Sequence, residues 1–260
     1  MSLVVNTNVG SLNAQRSLAA SGAELKTAME RLSSGSKINS ASDDAAGFAI
    51  AERMTAQIRG LNMAAKNAGD GLSMLSAIEN ATNDVTDMLQ RMRELAVQAV
   101  NDTNTSQDRT YLQQEVTGLL AEIDRVATQT QYNGTNILDG SMEGKIQVGT
   151  EAGQTVSFEI HSIETAALGI DTIDLSSADD ASYALAEITS AIEEVAGDRA
   201  GYGALQNRLE YTVSNLMNVS EFTTAARSRI EDADFAAESA RLAKAQVLQQ
   251  SGTALSLIHI

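Results

Sequence analysis

The side chains that could do chemistry in this sequence are two histidines and three adjacent pairs of identical acidic residues. The histidines are His161 and His259, and neither a His-x-x-x-His pair nor a cysteine accompanies them, so we expect no transition-metal site. The carboxylate pairs are Asp43-Asp44, Asp179-Asp180 and Glu193-Glu194. Because neighbouring residues on a helix do not face one another, capping and solvation explain these pairs better than acid–base catalysis.

One serine- and glycine-rich segment, SSGSK at residues 33–37, is faintly similar to a phosphate-binding loop. It lacks the glycine spacing of a P-loop, and no predicted strand precedes it. We interpret it as the end of a helix, because Gly35 suits the left-handed backbone that commonly follows a helix. The sequence thus predicts no catalytic, metal-binding or cofactor-binding residue, and therefore no enzyme.

A stripe of mixed side chains is more informative, since Met88, Arg91, Leu95 and Gln98 recur at steps of three, four and three. Residues at these spacings share one face of a helix. Methionine, arginine and leucine on a polar-faced helix are typical of an interaction surface. A wide bundle core would place Met88 and Leu95 there equally well, so spacing alone leaves both interpretations open.

A single long helix must position that stripe. Over residues 43–100 the apolar positions alternate in steps of four and three, the pattern of a coiled-coil seam. Two consecutive steps of three at Leu72, Leu75 and Ile78 form a stammer. A helix of about 58 residues would be about 87 Å long and needs partner helices along its length. The seam positions are Met54, Ile58, Leu61, Ala65, Ala68, Leu72, Leu75, Ile78, Thr82, Val85, Leu89, Met92 and Ala96.

The rest of the chain supplies those partners. Helical periodicity covers residues 11–33, a segment that folds back antiparallel after the polar turn at 101–106, the segment 181–219, and residues 228–252. A period of two at residues 146–160 predicts a β-hairpin, the one convincing β structure. The fold class is therefore mainly α: a long antiparallel coiled-coil helical rod with a small β-hairpin region, plus paired N- and C-terminal helices. Gly60, Gly69 and Gly71 in the long helix indicate close helix approach or local bending.

Composition and charge exclude several classes of function. The formal charge is −16 with no cluster of lysine and arginine, which argues against nucleic-acid binding. No window approaches the ~20 apolar residues of a membrane span, and the N-terminus has no signal-peptide pattern. Because the chain has no cysteine, disulfides cannot stabilise it, and oligomerisation is the expected source of stability.

Five sequence blocks, at both ends and in the middle of the chain, carry a family resemblance. They are NTNVGSLNAQR at 6–16, LSSGSKINSASDDAAG at 32–47, QRMRELAVQ at 90–98, QNRL at 206–209 and SRIEDAD at 228–234. With these blocks the chain closely resembles bacterial flagellin. The resemblance implies a secreted, extracellular subunit of the bacterial flagellum that polymerises into a helical homo-oligomer, the filament used for swimming. Residues 1–43 and 224–260 would be terminal helices lining the inner tube, and residues 44–223 the rod domain with its hairpin near 145–160.

The resemblance also assigns partners and a surface. Residues matching Arg91, Leu95 and Glu115 lie in the filament interface of the family, and a vertebrate Toll-like receptor reads them on free subunits. With Met88 and Gln98 they form our predicted interface and recognition surface. Type III export with an uncleaved N-terminus, an export chaperone on the C-terminal helix and the filament cap are further implied partners. The resemblance implies neither nucleic acid nor membrane as a partner, and no cofactor.

Two departures from the family pattern stand near the C-terminus. Phe222 occupies a position where the family commonly has asparagine. After Ala254 the family continues through another helical stretch to Leu-Ser-Leu-Leu, whereas LSLIHI at 255–260 matches what a transposon end used in sequencing libraries encodes. We therefore expect a truncated or chimeric reading frame here. The alternative function is a hook–filament junction protein, a related subunit that resembles the 90–98 block less well.

Overall fold

The structure, a computed structural model, describes residues 9–258 and the side chains of residues 9–254. The predicted fold class is confirmed: mainly α, with long antiparallel helices, a small β region and paired terminal helices. His259 and the side chains of residues 255–260 lie outside the described residues, so the predicted change of reading frame stays a prediction. The elements are α1 (Val9–Ser34), α2 (Ala45–Val100), α3 (Ser106–Gln129), β1 (Gln131–Tyr132), β2 (Thr135–Asn136), β3 (Glu143–Gln147), β4 (Thr155–Glu159), α4 (Ala178–Glu231) and α5 (Phe235–Ile258).

The chain forms two compact units. The terminal unit contains residues 1–59 and 220–260, and the central unit contains residues 60–219. Helices α2 and α4 each contribute to both units. The predicted division at 43/44 and 223/224 concerns layers of a filament, and it stays a prediction.

The terminal unit is built on the pairing of α1 with α5. α1 ends before Gly35, which has a φ of +74° and whose N–H donates to the Arg31 carbonyl oxygen at 2.9 Å. Asp44 then caps α2, since its Oδ1 accepts hydrogen bonds from the N–H groups of Ala46 and Gly47. Both helix boundaries therefore fall within two residues of the positions that the sequence indicates.

The core of the central unit follows the predicted seam. Leu75, Ile78, Val85, Leu89 and Met92 on α2 are fully buried. Buried residues of α3 and α4 complete the same cluster: Val116, Ile123, Ala127, Ala181, Ile188, Val195 and Leu209. α2 therefore packs in this unit as a member of a helical bundle, as the periodicity predicts.

Cross-helix hydrogen bonds show that both neighbours of α2 run antiparallel to it. Arg109 Nε at the start of α3 donates to the carbonyl oxygen of Ala99, near the end of α2, at 2.9 Å. On α4, Thr189 accepts from Arg93 of α2, whereas Arg199, further along α4, donates from Nη2 at 2.7 Å to Glu79 Oε1, which lies earlier on α2. A capping box between Thr105 and Asp108 begins α3 immediately after the turn.

The strands of residues 9–258 form two antiparallel hairpins, and an isolated antiparallel bridge joins Ser36 and Asp232. The predicted one pairs β3 with β4, placing Ile146 opposite Val156, and both side chains are buried against the core. The second, β1 with β2, is only two residues long per strand and was not expected as β structure. It surrounds Asn133 and Gly134, whose φ angles of 51° and 79° suit the tight turn that this dipeptide favours.

An irregular segment between β4 and α4 adds a further part of the core that periodicity does not reveal. Asp124 Oδ1 accepts from the Thr165 N–H at 2.9 Å, and Gln113 Oε1 accepts from the Leu175 N–H at 2.7 Å. Two side chains of α3 thus fasten this segment. Its buried residues are Ile160, Ile163, Thr165, Leu168, Ile170, Ile173 and Leu175.

The predicted close approach at the glycines of α2 comes from the hairpin. A Cβ on Gly71 would lie 2.5 Å from Ile146 Cδ1, and one on Gly60 would lie 2.8 Å from Thr150 Cγ2. A Cβ on Gly69 would have nothing within 4 Å. Gly60 and Gly71 therefore let the hairpin reach α2, whereas packing does not explain Gly69.

These two environments predict opposite effects of alanine at positions two residues apart. Gly69→Ala is expected to raise the free energy of unfolding by about 1 kcal/mol, because alanine favours the helix and meets nothing. Gly71→Ala makes the same helical gain but overpacks against Ile146, at a cost of about 1–3 kcal/mol, so we expect no net gain or a loss. Urea denaturation followed by circular dichroism measures both. Equal stabilisation by the two variants would contradict the close contact.

Candidate interaction surface

Arg91 is the centre of the surface predicted on α2. Its Nε donates to Glu115 Oε1 on α3 at 2.9 Å, and its Nη1 donates to Glu94 Oε2 at 3.0 Å. The hydrogen bond to Glu115, followed by that to Glu94, raises the pKa of Arg91 above its ordinary value. All three side chains are about half exposed or more, with 51% of the Arg91 side chain accessible. The fold thus brings Arg91 and Glu115 together, 24 residues apart in the sequence.

The other predicted members of the surface have different environments. Gln98 is exposed, and its carbonyl oxygen accepts a hydrogen bond from Asn104 Nδ2 in the turn after α2. Met88 is half-buried and packs against the core of the central unit. Leu95 is only 1% exposed, so the interpretation that places it on an exposed stripe is wrong for the subunit, and the wide-core alternative holds for this residue.

Leu95 is buried because α2 has a helix on each side. Arg91 contacts Glu115 of α3, while Arg93, two residues on, donates from Nε to Thr189 Oγ1 of α4 at 3.4 Å. A helix between two partners buries more than the narrow seam of a two-stranded coiled coil. The stripe therefore divides into an exposed polar part, Arg91 and Gln98, and an apolar part that belongs to the core.

A cleft between α2 and α4 borders this surface and was not predicted. It has a volume of about 570 Å³ and contains Val97, which is 53% exposed. Its other lining residues are Gln90, Arg93, Glu94, Thr189, Ile192 and Glu193. In the sequence, the sign of this cleft was Val97, an apolar residue that follows the seam position Ala96 without belonging to the seam.

Of the residues with potential for chemistry, Glu193 lines this cleft, whereas His161 and Asp180 have partners of their own elsewhere on α4 or beside its start. His161 Nδ1 is 2.7 Å from Asp198 Oδ1. Ser177 caps α4, since its Oγ accepts from the Asp180 N–H and donates to Asp180 Oδ2. Within residues 9–258, no group of three or more His, Cys, Asp or Glu residues is arranged to hold a metal ion. None of the helices described is long and apolar enough to cross a membrane.

Comparison with known proteins places the chain in one family. The family model for the N-terminal helical region of bacterial flagellin matches residues 5–143, and that for the C-terminal helical region matches residues 185–258. A flagellin of Halalkalibacterium halodurans is 39% identical over 256 residues, covering 97% of this chain and 94% of that protein. The flagellar filament 33 kDa core protein of Treponema phagedenis is 38% identical over 270 residues, covering 97% and 94% respectively.

A solved structure agrees with this assignment. The crystal structure of Bacillus cereus flagellin is similar with a TM-score of 0.52 and 30% sequence identity, covering 58% of this chain and 88% of that one. Both terminal regions, most of the length and the helical fold therefore match one class of protein. The chain belongs to the bacterial flagellin family, whose members are structural subunits of the flagellar filament and not enzymes.

Proposed function

We propose that this chain polymerises with copies of itself into the flagellar filament that drives swimming. The observation that carries this proposal is the apolar surface left on the terminal unit after α1 and α5 have paired. The large side chains that stay exposed there are Val9, Leu12, Met29, Phe235, Val247 and Leu248. Burial of such side chains against neighbouring copies would favour association.

The layers of the filament follow from the same proposal. Residues 1–43 and 224–260 would line the inner tube, where neighbouring copies cover their apolar side chains. Residues 44–223 would form the next shell outward. The high acidity of the chain is compatible with an outer surface that faces water.

Seeded polymerisation followed by electron microscopy tests this function. We expect purified protein to extend filament seeds as helical tubes. The double variant Val247→Ser, Leu248→Ser should assemble poorly, because it removes exposed apolar surface from α5 without touching the core of the central unit. The matched control is Gln246→Ser, Gln250→Ser, two exposed polar residues of the same helix, which should assemble like the parent. Persistent monomers of the parent would favour a hook–filament junction protein instead.

We further propose that a vertebrate Toll-like receptor recognises the free subunit through Arg91 and Glu115, with Gln98, Met88 and Leu95 contributing. What supports this is the resemblance of the 90–98 block, together with the exposure of Arg91 and Glu115 and the 2.9 Å hydrogen bond that joins them. Leu95 is buried and would act indirectly, by keeping the face of α2 that carries Arg91 in position.

Activation of receptor-bearing cells by purified monomer tests the recognition proposal. Arg91→Ala should lower activation by about tenfold or more, because truncating an arginine anchor at an interface costs about 2 kcal/mol. Arg125→Ala is the matched control, since Arg125 is equally exposed and also pairs with a glutamate, Glu122. Activation that is unchanged in Arg91→Ala, or equally reduced in both variants, would reject this surface.

Export completes the proposed function. The subunit would leave the cell through the flagellar type III apparatus with an uncleaved N-terminus, bound beforehand by an export chaperone on α5, and would assemble beneath the filament cap outside the cell. Expression in a flagellated strain that lacks its own flagellin should put the chain in the culture medium. Retention in the cytoplasm despite a working export apparatus would contradict this route.

A further inference from the structure

His161 lies where the β3–β4 hairpin ends and contacts α4 through two different hydrogen bonds. Its backbone N–H donates to Tyr202 Oη at 3.2 Å, and its ring Nδ1 is 2.7 Å from Asp198 Oδ1. Burial raises the pKa of Tyr202 to about 12, so this hydroxyl stays neutral throughout the physiological range. Near neutral pH, only the contact between the His161 ring and Asp198 can therefore change with pH.

The charges around the imidazole favour its protonated form. Asp198 and Glu194 face it from α4, and Glu159 approaches from β4, with an Oε1 that is 4.0 Å from Nε2. Two other cations are near: Arg208 of α4 lines a cleft together with His161 and Asp198, and Lys145 of β3 lines a second cleft together with Glu143 and Glu159. The hydrogen bond to Asp198 and then its negative charge raise the pKa of His161 above the ordinary histidine value.

The open end of the β3–β4 hairpin has an unfavourable charge pair, which protonated His161 offsets. Glu143 of β3 is the register partner of Glu159 of β4, so the last pair of the hairpin places two exposed glutamates opposite each other. Like charges directly opposite in an antiparallel pair are destabilising. A protonated His161 next to Glu159 reduces that repulsion and at the same time binds Asp198 on α4.

We propose that protonated His161 is a pH-sensitive latch, which fastens the open end of the β3–β4 hairpin to α4 through Asp198 and balances the Glu143–Glu159 repulsion. The direction of the effect follows from linkage. Because the folded state binds the proton more tightly, the added stability is fully present below pH of about 6.5 and is lost as the pH rises through the raised pKa of His161. Above that range the hairpin keeps its apolar packing and the Tyr202 bond, and its open end frays more often.

Two measurements on the full chain test the latch. Proton NMR titration, with the resonance assigned by comparison with His161→Gln, should give a pKa above 6.5 for His161 and a value close to 6.5 in Asp198→Asn. Hydrogen exchange of residues 156–161, corrected for the chemical rate, should show about two- to fivefold less protection at pH 8.5 than at pH 6, the scale of one exposed ion pair.

The variants separate the latch from general effects of pH. In Asp198→Asn, residues 156–161 should show at both pH values the weaker protection that the parent shows at pH 8.5. Glu151→Gln is the matched control, since it also replaces a carboxylate by an amide but lies in the turn at the opposite end of the hairpin, and it should behave like the parent. A His161 pKa at or below 6.5 in the parent, or an equal pH effect in Asp198→Asn, would overturn the proposal.

Discussion

Replacing Leu95 by alanine is expected to lower the free energy of unfolding of the central unit by about 2–5 kcal/mol. Leu95 is 1% exposed and belongs to the main core cluster with residues of α3 and α4. The change removes buried methyl groups and leaves a cavity that the surrounding helices can only partly fill. Urea denaturation followed by circular dichroism at 222 nm measures the effect as a shift of the midpoint.

Two neighbours on the same helix provide the controls. Val97 is 53% exposed and Arg91 is half-exposed, so Val97→Ala and Arg91→Ala should each stay within about 0.5 kcal/mol of the parent. If Leu95→Ala also stayed within that range, the placement of Leu95 in the core would be wrong. The difference decides how interaction assays are interpreted, because Leu95→Ala reports on folding and binding together whereas Arg91→Ala reports on binding.

The seam of α2 could be predicted because periodicity follows from the geometry of one helix. Residues Leu75, Val85 and Leu89 needed no knowledge of the partner to be placed inside. The width of the buried face could not be predicted in this way. It depends on how many helices pack around α2, and contacts from Arg91 to α3 and from Arg93 to α4 show two. Leu95 lies outside the predicted seam, and it is buried because the core around α2 is wider than that seam.

The irregular segment before α4 shows the other limit of sequence patterns. Ile163, Ile170 and Leu175 are fully buried, yet no helical or strand period connects them. Their positions depend on side chains far away in the sequence, since Gln113 and Asp124 of α3 hold the backbone of this segment. Such contacts are set by the tertiary structure and leave no local signal. The Arg91–Glu115 contact is of the same kind, and in the sequence only the resemblance indicated it.

Removal of the Glu238 side chain is expected to destabilise the terminal unit by about as much as Leu95→Ala destabilises the central unit. Glu238 on α5 is 5% exposed and accepts from Arg31 of α1 at 3.2 Å and from Arg241 at 2.8 Å. Within the described part of the chain, Arg31 Nε is buried without a hydrogen-bond partner, so this carboxylate is the main compensation for the Arg31 charge. Breaking a buried ion pair by removing one partner costs about 3–5 kcal/mol.

We therefore expect Glu238→Ala to release α1 from α5. Hydrogen exchange should show about a hundredfold or greater loss of protection in both helices, with the central unit unchanged, because its core shares no residue with this pair. Glu238→Gln keeps the shape and one acceptor and should fall between the variant and the parent. The control is Glu24→Ala, an exposed glutamate of α1. If Glu238→Ala kept its protection, the ion pair would not be what joins the two helices, and their apolar contacts alone would have to hold them. Seeded polymerisation of the same variants then distinguishes two roles of the α1–α5 pairing. If Glu238→Ala loses both protection and assembly, the two helices must pair before the subunit joins a filament. If it loses protection but still assembles, neighbouring subunits can order the two helices during assembly.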